Sequence, residues 1–270
     1  MNLNRVVTLV GKELREFRAS PAAILPGAIV VIVITVLPFV VVKIVPWATG
    51  QALATDPGLR KALEIGRAYL PSLDGIAPEL AVEAFLFQQF LVLFLLAPIV
   101  SAVSLAAYSV VGEKQGRTLE PLLTTPLTTA ELLVGKAVAS FLPALALELA
   151  GVAIYLLLIA VVGSPRVWAS LFTVRSAIMM LLVGPLASLA ALQATIAVSS
   201  RANDPRSAQQ VAVLVVLPLV LLFVGQLAGA FFLTSALLLL VAAVALAVWL
   251  LLVMLSVALF ERETILTRWK

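Results

Sequence analysis

Four stretches of this chain carry no charged residue at all: 22 to 42, 84 to 112, 176 to 200 and 207 to 260. Each matches or exceeds the about 20 helical residues that cross a hydrocarbon layer. The last, at 54 residues, is too long for one crossing, and Gly225, Gly229 and the Thr234-Ser235 pair mark a break that divides it into two. One more apolar helix fits between 130 and 163, interrupted only by Glu131, Lys136 and Glu148. Backbone amides must be satisfied internally in hydrocarbon, and the chain lacks the short alternating segments of a barrel, so the spans must be helices. The expected fold is an all-α integral membrane protein with six transmembrane helices: 22–47, 84–112, 130–162, 172–200, 210–230 and 235–260. An outer segment at 48–83, loops at 113–129 and 201–209, and a tail at 261–270 complete the expected layout.

The remaining composition narrows the function classes. A chain that is 63% hydrophobic and 12% charged lies far outside the range of soluble domains. Its pI of 9.7 reflects a net charge of only +4, and basic residues nowhere cluster with stacking aromatics, which argues against nucleic acid as a partner. The absence of cysteine and histidine excludes disulfides, thiolate chemistry and the common zinc and haem sites, so no metal or cofactor is expected on this chain.

The first twenty residues lack the apolar core and cleavage site of a signal peptide and are expected to be retained. Leu3, Val6, Val7, Val10, Leu14 and Phe17 recur at helical spacing, while Arg5, Lys12, Glu13, Arg15, Glu16 and Arg18 fall largely on other faces. Such a helix lies in the membrane interface or packs on a soluble partner. Ser20 and Pro21 then supply an N-cap and a first-turn proline for the first span. With the N-terminus inside, 12 of the 18 basic residues fall on the cytoplasmic side, which places both termini in the cytoplasm and the chain in the inner membrane. In the outer segment, Asp56-Pro57 begins a short amphipathic helix with Leu59, Leu63, Gly66 and Leu70 on one face, ending at Pro71, which reads as a cap over the bundle or a substrate gate.

The stretch GEKQGRTLEPLLTTPLTTAELLVGK at 112–136 is polar, broken by glycine and proline, and still keeps paired leucines. Thr118 caps a short helix containing Leu119, Pro121, Leu122 and Leu123, which Pro126 ends, and Thr128 with Glu131 forms a capping box for the third span. Exposed leucines on a small cytoplasmic helix mark a docking element or an interfacial loop. Among side chains inside the spans, Glu148 is the one acidic group far from an end; it either lines a path or acts as interhelical glue, and Gln88, Gln89, Gln193 and Gln226 are neutral companions. No phosphate-cradling G-x-x-x-x-G-K-[ST] loop occurs: Gly135-Lys136 precedes Ala137 and lacks a glycine at 130. An active pump built on this chain therefore requires a separate ATPase.

The run Glu113-Lys-Gln-Gly116-Arg-Thr118-Leu119-Glu120 with Leu122-Leu123, Pro126, Glu131-Leu132-Leu133 and Gly135-Lys136 resembles the membrane-spanning permease subunits of type-2 ATP-binding-cassette (ABC) transporters. SSRANDPRSAQQ at 199–210 and the closing FERETILTRWK support the likeness. The resemblance implies a type V ABC exporter-like fold and a working unit of two permease copies or homologues with two ATPase subunits, ATP and Mg being bound on the latter. It implies that Arg117 to Leu123 is the coupling helix, that Glu113 braces the second span beside Gly116, and that Arg201, Asp204, Arg206, Gln209 and Gln210 form a second cytoplasmic contact. A salt link among Asp204, Arg201 and Arg206 is the local alternative. Glu148, Gln88, Gln193 and Gln226 are the candidate translocation-path residues. Two rivals stand beside an ATP-driven exporter: an ion-coupled secondary transporter, which calls for several polar intramembrane groups, and a non-transporting scaffold that uses the same ATPase docking.

Overall fold

The computed structural model describes residues 2–117, 127–199 and 232–259, with isolated positions at 210, 217–218, 221–222 and 224–226. Among these residues all regular structure is helical: α1 (Leu3–Ala19), α2 (Pro21–Phe39), α3 (Val45–Thr49), α4 (Pro57–Arg67), α5 (Pro78–Phe90), α6 (Leu96–Gln115), α7 (Thr129–Val162), α8 (Pro165–Ser170), α9 (Val174–Ile178), α10 (Gly184–Ser199) and α11 (Ser235–Leu259). Among the described residues, five helical stretches are long and apolar enough to cross a membrane: Pro21–Thr49, Pro78–Glu113, Thr129–Val162, Val174–Ser199 and Ser235–Ser256. The expected span at 210–230 falls largely outside the described residues, as does the tail.

The second span is the axle of the bundle. Over an 18-residue stretch of it 89% of the residues are buried within the chain, against 22% in the third span and 11% in the last, because α6 packs at once on α2, α7 and α10. Its apolar residues therefore face protein on all sides, whereas many leucines and valines of α2, α7 and α11 remain exposed. The helix begins at Pro78 rather than at 84: proline is preorganised for a first turn, and the charge of Glu83 is matched by Lys43 at 2.6 Å, so the two charged turns join the span.

Prolines leave their mark as local under-winding. The first span changes to a five-residue π-turn at Val40–Ile44 just before Val45-Pro46, and the fourth does so at Met179–Val183 just before Gly184-Pro185. A missing amide at proline frees a carbonyl one turn earlier, and a π-turn redistributes the remaining bonds. Ser20 occupies the expected N-cap of α2 but its side chain makes no capping bond; Pro21 alone starts that helix. In the 48–83 segment Asp56 caps α4 through the amide of Leu59 at 2.8 Å, and Leu63, Gly66 and Leu70 are buried, with Gly66 seated against Phe85. The helix ends at Arg67, and the segment covers this end of the bundle.

Phe39, Phe87, Phe94 and Tyr155 form one aromatic cluster joining the first three spans, with centroid separations of 5.0 to 6.0 Å. The Tyr155 hydroxyl donates to the Phe87 carbonyl at 2.9 Å, which satisfies an otherwise costly buried hydroxyl. One turn away, Gly151 lets α7 approach α2: a Cβ there would lie 2.7 Å from Val31 Cγ1 and 3.4 Å from Phe94 Cε1. Gly151→Leu should therefore destabilise by about 1–3 kcal/mol through overpacking. A lowered thermal unfolding midpoint in detergent, with Gly11→Leu at an open site as control, checks it.

Candidate functional site

The buried face of α1 follows from spacing: Val6, Leu9, Glu13 and Phe17 recur every three to four residues and all are buried. Glu13 was expected on a polar face; the structure corrects this, since it lies between Leu9 and Phe17 on the same stripe and is fully enclosed. What makes this tolerable is Lys136, itself fully buried on the first turns of α7. The Lys136 ammonium donates to Glu13 Oε1 at 2.8 Å, to the Ser109 carbonyl at 2.8 Å and to Ser109 Oγ at 3.0 Å, and pairs with Glu113 Oε2 at 2.7 Å. Ser109 Oγ donates to Glu13 Oε2 at 2.6 Å, and Lys12 donates to Glu113 Oε1 at 2.5 Å. One ammonium thus joins α1, the end of α6 and the start of α7.

These are the two legs of the 113–129 loop. At one root Gly116 closes the last turn of α6 onto Gly112, and Arg117 adopts φ 53, a left-handed conformation that ends the helix at a cost of about 1–2 kcal/mol for a non-glycine residue. At the other root the capping box is complete: the Glu131 amide donates to Thr128 Oγ1 at 3.2 Å and the Thr128 amide to Glu131 Oε2 at 2.9 Å. Glu131 also accepts from the Asn2 amide at 2.6 Å and lies 3.8 Å from Arg5, so the start of α1 is pinned to the same cap. Between these two attachments Gly135 admits Leu9, whose Cβ would lie 3.4 Å from a Cβ added to Gly135.

Thr118, Leu119, Glu120, Leu122, Leu123 and Pro126 lie outside the described residues, as do Arg201, Asp204, Arg206 and Gln209; Gln210 is helical and exposed. The remaining sequence candidates are dispersed. Gln88 donates to Ser72 Oγ and to the Ser170 carbonyl, each at 2.9 Å, fastening α5 to the segments at the end of the bundle away from α1. Gln226 donates to Gln89 Oε1. Gln193 lines an apolar groove of 350 Å³ with Leu133, Phe141, Trp249 and Val253. Glu148 is fully buried against Gly184, with no hydrogen-bond partner for either carboxylate oxygen. No hydrogen bond joins these four side chains to one another.

Carboxylates of Glu13, Glu16 and Glu113 approach within 4.8 Å of one another, a spacing that suits a divalent cation. Lys12 holds that seat: its ammonium is 2.5 Å from Glu113, 3.3 Å from Glu16 and 3.6 Å from Glu13. Burial pushes the Glu13 carboxyl up, but the Lys136 charge and hydrogen bond, aided by Ser109 and Lys12, outweigh it and hold the group below its ordinary 4.5. Burial likewise pulls the Lys12 ammonium down, and Glu113, with Glu13 and Glu16, more than offsets this and raises it above 10.5.

Glu13, Ser109 and Lys136 are the functional candidates that the sequence reading passed over. Their signal was present as position rather than type: Leu132, Lys136, Ser140, Ala144 and Glu148 share one stripe of α7, so a lysine there must be buried and matched.

A depressed carboxyl stabilises above the unfolded value and loses that contribution as pH falls below 4.5; a raised ammonium stabilises below 10.5 and loses it as pH rises further. The thermal unfolding midpoint in detergent should therefore hold steady between those values and fall outside them. Lys136→Met leaves Glu13 and Glu113 without their buried cation and should cost about 3–5 kcal/mol. Combining it with Glu13→Gln and Glu113→Gln should recover much of that loss, read as thermal unfolding midpoints.

A family model described as "ABC-2 family transporter protein" matches residues 7–237. No curated protein matches the chain.

Proposed function

This chain belongs to the ABC-2 transporter family as a permease, the multi-pass membrane subunit of an ABC transporter with an ABC ATPase as its partner, and on that premise we propose that it works as an exporter driven through the 113–129 loop. Two copies, or one copy with a homologue, assemble in the inner membrane with both termini cytoplasmic. ATP and Mg are bound by the ATPase subunits. Their closure pushes on the segment from Arg117 to Leu123, with Leu122 and Leu123 as its apolar contact face and Glu120 at its edge. Arg201, Asp204, Arg206, Gln209 and Gln210 make a second contact.

The observation that carries this reading is the clamp at the loop's roots. A displacement of a flexible loop would dissipate in the loop. Here the Lys136 ammonium joins Glu13 of α1, Ser109 and Glu113 of α6, and its own α7, so a push on either leg moves three helices together. Buried, multiply bonded ion pairs resist opening because each separated charge would remain in a low-dielectric interior. The axle position of α6 then passes the motion to α2 and α10, whose adjoining π-turns before Pro46 and Pro185 are places where a helix can bend. Alternating access by rocking of two such bundles follows as the mechanism. Glu148, Gln88, Gln193 and Gln226 do not converge within one copy, which favours a path formed between copies over one through a single bundle. A scaffold that borrows the same docking is the second reading, and the partnerless Glu148 in the third span speaks against it, since a purely structural helix gains nothing from such a group.

Leu122→Asp with Leu123→Asp should abolish co-purification with the cognate ATPase; undiminished binding removes the docking assignment. The chain has no native cysteine, and a pair at Leu9 and Gly135 would have Cβ atoms about 3.4 Å apart, close to disulfide geometry. Oxidising Leu9→Cys/Gly135→Cys should leave ATP-driven transport intact and restore coupling to Lys136→Met, measured as cargo moved per ATP hydrolysed. Loss of transport on oxidation would mean that α1 must part from α7 during the cycle.

A further inference from the structure

Six acidic or basic side chains are buried among the described residues: Glu13, Glu113, Glu131, Lys136, Glu148 and Arg175. Four of them have a counter-charge within 4 Å, as described above. Arg175 has none: it is 8% exposed, and neither Nε nor Nη2 has a hydrogen-bond partner. Those two nitrogens form the side-on edge of the guanidinium, the fork whose parallel N–H bonds match two oxygens of a phosphate or carboxylate.

Among the described residues no acid pairs with this fork. Arg175 opens the fourth span, at the end of the bundle away from α1, just beyond the segment that Gln88 fastens through the Ser170 carbonyl. The acidic residues at that end are Asp56, Glu64, Asp74, Glu79 and Glu83; all lie within the described residues, and none pairs with Arg175. Glu148 faces Gly184, nine residues or about 13 Å of helix further along. Helical side chains lean toward their own N-terminus, so Arg175 leans to the far end and Glu148, on the antiparallel α7, leans the other way.

Depth in the bilayer identifies the chemistry available there. Trp168 and Phe172, whose rings lie 4.6 Å apart, are 39% and 59% exposed immediately before Arg175, and Trp47 is 84% exposed at the same end. Exposed aromatic rings at the end of a span sit at headgroup level, where an arginine with a buried stem reaches for phosphate.

We propose that Arg175 is an anion site that binds a phosphate group at the far-side mouth of the bundle, supplied by a phospholipid headgroup. The Nε–Nη2 edge takes two phosphate oxygens as the far ends of the helices loosen. In the packed conformation the edge is covered and empty of partners, so binding favours the open far side. The site is separate from the loop-side clamp and does not depend on the direction of transport.

Native mass spectrometry of the full chain in detergent, titrated with phosphatidylglycerol, reads the site directly. Wild type should retain one more phosphatidylglycerol than Arg175→Gln, with at least a fivefold difference in apparent affinity, while diacylglycerol, which lacks the phosphate, should bind both alike. Arg175→Lys keeps the charge without the fork and should bind several-fold more weakly than wild type; it carries the comparison if Arg175→Gln fails to fold. Inorganic phosphate forms the second arm. Arg175-dependent binding of phosphate without any for phosphatidylglycerol would keep the anion site and assign it to a soluble phosphate. Equal binding of both probes by wild type and both variants overturns the proposal.

Discussion

A single buried ammonium holds the loop side of this protein together. Lys136 lies inside the third span, where a bare lysine would be prohibitively costly, and it is tolerable only because Glu13, Glu113 and Ser109 surround it. Each of these belongs to a different sequence region, so the bond network forms only when α1, α6 and α7 are all in place. Replacing the network with apolar side chains could give an equally stable bundle. What the ionic version provides is directional: it fixes the rotation and depth of an amphipathic helix against the two legs of a loop.

The rest of the fold is arranged around that junction. The second span threads the centre and is enclosed by the others, which frees its residues from any need to face lipid. Small residues set the close approaches, Gly135 against Leu9, Gly151 against Val31 and Gly184 against Glu148, and the aromatic cluster around Tyr155 closes the opposite end. Rigid junctions at the two ends and π-turns within the first and fourth spans divide the bundle into parts that move as units and parts that can bend. That division is what a membrane subunit needs if work is done on it from outside.

Much of this was legible in the sequence because hydrocarbon imposes simple rules. Uncharged runs located the spans, Thr128 and Glu131 announced the start of α7, and Asp56-Pro57 announced α4. The misses came where a charge was matched rather than absent. Glu83 sits inside the second span because Lys43 pairs with it, and Glu13 sits inside the α1 interface because Lys136 does. Neither pairing has a local signature, since the partners are separated by 40 residues in one case and by 123 in the other. Arg175 was legible only as one more outer-side charge; its want of a partner emerges only once every acid at that end of the bundle has been located in space.

The most direct test of the account is whether α1, α6 and α7 move as one body when the ATPase works. Leu3 on α1 and Val134 on α7 are both exposed and can carry spin labels in a chain that has no competing cysteine. Electron–electron distance measurements on the assembled complex should give the same Leu3–Val134 distribution with and without ATP, while the separation of Val134 between the two copies changes. A Leu3–Val134 distance that shifts with nucleotide would contradict the rigid clamp at the roots of the loop.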